Sequence, residues 1–278
     1  MKLPRLLLAT ALLAAGCADP AGPSAPPASF AADDVVLQVR VTGGFVPPQT
    51  LVTEIPVLTV YGDGRAITTG PIPAIYPGPA LPNVQVQRIG ADGVAKLTDL
   101  ALDAGVGQEQ DFGMPPVADA PSTEFTVRTA AGLQRTTVDA LGAGGTETLT
   151  GAQREAREKM QRLVDALTDL SGTLKTTDRP QPYEPAVLAA VSSPFVETSD
   201  PVLKDPPAVA WPGPALPGAT VGDLPDVHCL TSEAGQTAAI LAAAKAANAR
   251  TPWTSGGTSW SVAFRPLLPH ESSCADLG

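Results

Sequence analysis

Apolar and polar positions alternate from Val35, with Val35, Leu37, Val39 and Val41 on one side of an extended chain, and the alternation stops at Gly43-Gly44. A second extended run, Pro56 to Tyr61, meets Gly62-Asp63-Gly64 and resumes as Arg65 to Thr69. Those turn residues tolerate a positive φ, so the pattern predicts a β-hairpin in which Asp63 serves the turn. Val84 to Ile89 predicts another strand. The period then lengthens: Leu97, Leu100 and Leu102 mark a short helix from Asp92 to Ala104, with Gly105 as its stop. After a loop, about Val106 to Ser122, Glu124 to Thr129 and Leu133 to Ala140 predict a second hairpin around Ala131-Gly132. The clearest helix runs from Gly151 to Leu170, opened by the capping box Thr150-x-x-Gln153. Its apolar face is Ala156, Met160, Leu163, Val164, Leu167 and Leu170, while Glu155/Lys159 and Glu158/Arg162 pair at i,i+4 on the other side.

Thr176 to Pro217 is rich in proline, with strand candidates at Ala186 to Val191 and Ala208 to Trp211. Beyond it come a strand, Val227 to Leu230, an alanine-rich helix from Glu233 to Ala249 capped by Ser232, and a hairpin from Pro252 to Pro266. With Gly256-Gly257 at the turn, Ser255 faces Thr258 and Trp253 faces Trp260, so two tryptophans share one side. Tyr76-Pro77-Gly78-Pro79-Ala80-Leu81-Pro82 recurs as Trp211-Pro212-Gly213-Pro214-Ala215-Leu216-Pro217. Each copy follows a short strand (Ala74 to Tyr76; Ala208 to Trp211) and precedes a strand, a helix and a hairpin. The expected class is α+β: two similar units of β-hairpins and a small antiparallel sheet, each with one packed helix, joined by the amphipathic helix. The units span 34–150 and 176–278, with the connecting helix in 151–175. Chance similarity in a Pro/Gly/Ala-rich chain is the alternative to duplication.

The first residues change the picture from fold to address. Lys2 and Arg5 precede an apolar run from Leu6 to Ala15, too short for a bilayer span, which needs about 20 residues. Leu13-Ala14-Ala15-Gly16-Cys17 resembles the bacterial lipoprotein signal, in which diacylglycerol is attached to the cysteine sulfur and the leader is cut just before it. That resemblance implies a signal peptide over 1–16 and a lipidated Cys17; the other reading is an ordinary secretory leader cut near Ala15 or Gly16. From 17 to 33, prolines and small residues predict a disordered tether, with Asp33-Asp34 solvated at its edge.

The formal charge is −10, and the leader carries Lys2 and Arg5 but no acid, so the mature chain is more acidic still. Such a surface repels nucleic acid and anionic headgroups. Besides Cys17 the chain has Cys229 and Cys274, and an even pair outside the cytoplasm reads as a disulfide worth about 4 kcal/mol in the chain-entropy picture. The two histidines, His228 and His270, flank that pair. His228, Cys229, His270 and Cys274 could together form a zinc site, although neither half has the short ligand spacing usual for structural zinc. A hydrolase would need one of these imidazoles and a nucleophile such as Ser255, but no Gly-x-Ser-x-Gly elbow is present. No phosphate loop, dinucleotide fingerprint or calcium loop occurs either, and no cofactor is implied. Trp253 and Trp260 could stack on a sugar or peptide, and the proline loops bearing Tyr76 and Trp211 could bind protein, or all four could serve the core.

Thr42-Gly43-Gly44-Phe45-Val46-Pro47-Pro48, Leu58 to Arg65, Tyr76 to Asn83 and Val262 to Pro269 resemble a family of secreted actinobacterial lipoproteins with no established activity. The resemblance covers nearly the whole mature domain and implies a cell-envelope location, with no functional residue to carry over. The expectation is a non-enzymatic lipoprotein on the extracytoplasmic face of the cell membrane, held through Cys17, that binds an envelope protein, peptide or glycan. A hydrolytic or zinc-dependent enzyme centred on His228 and His270, and a purely structural envelope component, are the alternatives.

Overall fold

A computed structural model describes residues 30–200, 204–224 and 226–277. The leader, Cys17 and most of the expected tether lie outside the described residues. The first sheet is built from β1 (Val35–Thr42), β2 (Leu58–Tyr61), β3 (Arg65–Thr69), β4 (Val84–Arg88), β5 (Ser122–Thr129), β6 (Gly132–Asp139) and β7 (Gln181–Pro182). Its order is β6-β5-β1-β2-β3-β4-β7 and every pairing is antiparallel. A bulge between Val35 and Leu37 shifts the predicted alternation, so that Val36, Leu37 and Val39 face one core while Val35 turns to the other side. The described part of the expected tether, from Phe30 to Asp33, lies against the fold. Phe30 packs against the first core, and Asp33, with Asp63, pairs with Arg65.

Helix α1 (Pro48–Thr53) connects β1 to β2, α2 (Gly90–Ala104) connects β4 to β5, and α3 (Gly151–Thr168) is followed at once by α4 (Leu170–Leu174). Leu97 and Ala101 of α2 and Met160, Leu163 and Leu167 of α3 cover one face of the sheet over Leu58, Val60, Phe125 and Val127. The long helix therefore belongs to the first core. Its capping box forms as read: Gln153 N–H donates to Thr150 Oγ1 at 3.2 Å and Thr150 N–H to Gln153 Oε1 at 2.8 Å. It breaks at Asp169, whose carboxylate accepts Gly172 N–H at 3.0 Å and starts α4, so that Leu170 stays buried. Both i,i+4 ion pairs are present, Glu155–Lys159 at 3.3 Å and Glu158–Arg162 at 3.8 Å.

The second sheet contains β8 (Leu188–Pro194), β9 (Val209–Ala210), β10 (Ala219–Thr220), β11 (His228–Thr231), β12 (Trp253–Ser255) and β13 (Thr258–Pro266), in the order β10-β11-β8-β13-β12-β9. Only β9 and β12 run parallel. Gly256 and Gly257 both take positive φ, and the hairpin they close pairs Trp253 with Trp260 and Ser255 with Thr258, as the sequence predicts. One face packs on α5 (Thr237–Lys245), which is shorter than expected. Ser232 does not cap it: its hydroxyl accepts Leu188 N–H at 3.0 Å and meets Thr237 Oγ1 at 2.7 Å, tying β8 to the approach to the helix.

The fold is α+β, with two sheets and a helix-covered face on each. The order of elements after the two proline loops repeats, but the pairing does not. Three strands separate β4 from β5, whereas β11 and β13 both border β8. Ala74–Tyr76 is loop, not strand. The two units also exchange segments: β7 extends the first sheet, and Val52 of α1 inserts beside Ala189, Val191 and Cys229 of the second. Between the sheets, Tyr61, Ile67 and Val84 meet Leu268. Among the described residues no helix is long and apolar enough to cross a membrane.

Candidate functional site

Cys229 and Cys274 are bonded, with S–S 2.05 Å and Cα–Cα 6.0 Å. Alternation along β11 sends Cys229 toward Val191 and Leu267 and sends His228 to the opposite face, edge-on to Trp260 with ring centroids 6.3 Å apart. His270 turns instead to Tyr61 between the sheets, Nδ1 to phenol oxygen 2.8 Å. Burial holds the Tyr61 phenol far above its ordinary value and pushes the imidazole's pKa down, so burial favours the neutral form of both rings. The zinc reading is thereby corrected: the sulfurs are consumed by each other and the imidazoles face different layers. Among the described residues no group of three or more His, Cys, Asp or Glu could hold a metal ion. Ser255 Oγ accepts Leu216 N–H at 3.1 Å, which fixes the second proline loop, and no hydrogen bond among the described residues joins it to either imidazole.

The aromatic platform is also corrected. Trp253 is 0% exposed and sits edge-on to Trp211 and Phe264, with centroids at 5.6 and 5.5 Å. Trp211 is buried too, its indole N–H donating to Pro214 O at 2.6 Å. These rings form the second core because a chain with 4% aromatic residues has few other large side chains to fill it. Trp260 is half-buried and its indole nitrogen lacks a partner. Of the four candidate binding residues only Tyr76 is at the surface, 68% exposed, beside exposed Ile72 and Ile75. The loop that carries it is pinned at Gly78, whose carbonyl accepts Ala249 N–H at 2.8 Å.

The cleft with the best ligand-binding chemistry lies elsewhere, at the end of the first sheet where β1 leaves it. Gly43 and Gly44 both take positive φ, and Gly44 runs so close to Asp119 O and Pro121 that a Cβ would touch each at 3.4 Å. Phe45 N–H donates to Asp119 O at 3.3 Å, and Pro48 then opens α1 with its fixed φ. The helix is held rigidly. Val52 is buried under the second sheet and Gln49 Nε2 donates to Val191 O at 2.7 Å. At its far end Glu54 O accepts Arg265 Nε at 3.2 Å, which satisfies a terminal carbonyl. That guanidinium pairs with Glu271 at 2.7 Å, the two side chains being 3% and 5% exposed.

Between β1, α1 and Pro121 this leaves a cleft of about 370 Å³, walled by Val41, Val46 and Leu51 with Phe45, 92% exposed, on its rim. Arg40, Glu54 and Asp119 supply its charges. Burial raises the pKa of Glu54, and Arg265 and Arg40 partly oppose the shift. Apolar walls with a few convergent polar groups are the usual make-up of a small-ligand site. A larger, more open depression holds Glu197, Thr198 and Asp205, but Asp205 is already engaged by Arg250 Nε at 2.8 Å and Thr198 N–H at 2.7 Å. Sequence reasoning passed over the cleft. The available signal was the run Gly43 to Thr53, which carries Phe45, Val46 and Leu51 and no charge in an acidic chain.

Comparison with protein-family models, curated proteins and solved structures gave no match.

Proposed function

We propose that this chain is a bacterial envelope lipoprotein, moored through diacylglycerol on Cys17, whose folded body captures an apolar group of an envelope ligand in the Phe45 cleft. The observation that carries the reading is a large aromatic ring held almost fully in solvent over a preformed apolar cleft, on a glycine–proline frame that fixes its position. The leader pattern supports the address, and the oxidised Cys229–Cys274 pair suits it. Two acyl chains would hold the protein firmly, where one binds only marginally.

Polarity of the fold fits display. Phe30 and the Gly62-Asp63-Gly64 turn lie at one end of β1, and Phe45 and Asp119 lie at the other, so the described chain begins at the end away from the cleft. Covalent geometry lets the chain from Cys17 to Phe30 reach at most about 45 Å. The body can then present its far end to other envelope components.

A photo-crosslinking side chain placed at Phe45, in cells, is expected to give a discrete adduct. The same group at Leu133, exposed on β6 near the opposite end of the sheet, should give none. Equal labelling at both positions would count against the cleft.

A further inference from the structure

Two charges in the cleft have no use in the fold. Arg40 and Glu54 both line it, and Arg40 lies near enough to pull the pKa of Glu54 down, yet neither side chain makes a hydrogen bond or ion pair with any described residue. Glu124 stands opposite Arg40 in the strand register and does not pair with it. Arg265, the other cation nearby, is committed to Glu271 and to carbonyls. An ion pair between Arg40 and Glu54 would be the simplest fate for such neighbours, and the site leaves them apart, one of each sign, beside an apolar wall.

We propose that the cleft binds a small zwitterion with an apolar side chain, a free apolar amino acid or a short apolar peptide. Its carboxylate meets Arg40, its ammonium meets Glu54, and its side chain lies among Val46, Leu51 and Phe45. This rests on the reading of the cleft as the ligand site. A guanidinium suits the carboxylate because its planar fork can donate two parallel hydrogen bonds. Asp119 on the same rim adds to the attraction for an ammonium. The volume, about 370 Å³, sits near the lower bound of small-molecule sites, roughly 300–1,000 Å³. It has room for one or two residues and not for a folded partner.

Isothermal titration of the full chain with L-leucine, L-leucyl-L-leucine and N-acetyl-L-leucinamide tests the assignment. The two zwitterions should bind and the blocked amide should be weaker by about 10- to 100-fold, the loss expected when charged hydrogen bonds are removed. Whichever zwitterion binds tighter identifies the source. Arg40→Gln and Glu54→Gln should weaken the zwitterions by a similar factor and leave the blocked amide unchanged, with unaltered thermal unfolding as the folding control. If the amide binds as well as the zwitterions and only Phe45→Ala reduces it, the zwitterion assignment fails while the cleft stands. If none of the three probes gives heat, both fall.

Discussion

Truncating Glu271 to alanine should destabilise the protein by about 3–5 kcal/mol, because it strands the Arg265 guanidinium in the layer between the sheets. Burial already pushes that guanidinium's pKa down, with Glu271 as the main opposing influence. The carboxylate also accepts Leu268 N–H at 2.7 Å, so its loss orphans a backbone donor as well. The paired replacement Arg265→Met with Glu271→Leu should recover only part of the loss. It removes the stranded charge, but Glu54 O at the end of α1 then loses its donor. Thermal unfolding measures this: in a domain of this size about 1 kcal/mol lowers Tm by roughly 2–4 °C. A Glu271→Ala protein unfolding within a degree of the parent would show that the pair does not hold the sheets together.

Trp253→Ala should cost a similar amount, about 3–5 kcal/mol, through the cavity it opens among Trp211, Phe264 and Ile240. Trp260→Phe, directly across the same hairpin, should be nearly neutral or slightly stabilising, since it removes an indole N–H that is buried without a partner. The contrast separates the two tryptophans that the sequence treats alike. Urea unfolding midpoints at matched slope would report it, and equal losses at both positions would contradict the assignment of Trp253 to the core.

The hairpin register itself was readable, because Gly256-Gly257 dictates which residues face each other and pairing is a local consequence of the turn. So were the capping box of α3 and the stop of α2 at Gly105, whose φ is +103°. The disulfide followed from counting. What local chemistry could not give was the side of a sheet on which a residue ends and what lies beyond it. His228 and Cys229 are neighbours in sequence and opposite in space, which dissolved the four-residue metal set. Two aromatic residues on one face of a hairpin fit a platform and a core equally well until the covering layer, here α5 and the Trp211 loop, is known. The cleft is assembled by contacts of long sequence separation, Phe45 with Asp119 and Glu54 with Arg265, which no periodicity announces. The polarity of the run from Gly43 to Thr53 was its one local trace.

Intact mass of the protein extracted from its host's membranes, with and without reductant, bears most directly on the reading of this chain as a moored binding domain. The account predicts a chain beginning at Cys17 that carries diacylglycerol, and a gain of two hydrogens on reduction as Cys229–Cys274 opens. An unmodified chain found wholly in the culture medium would contradict it.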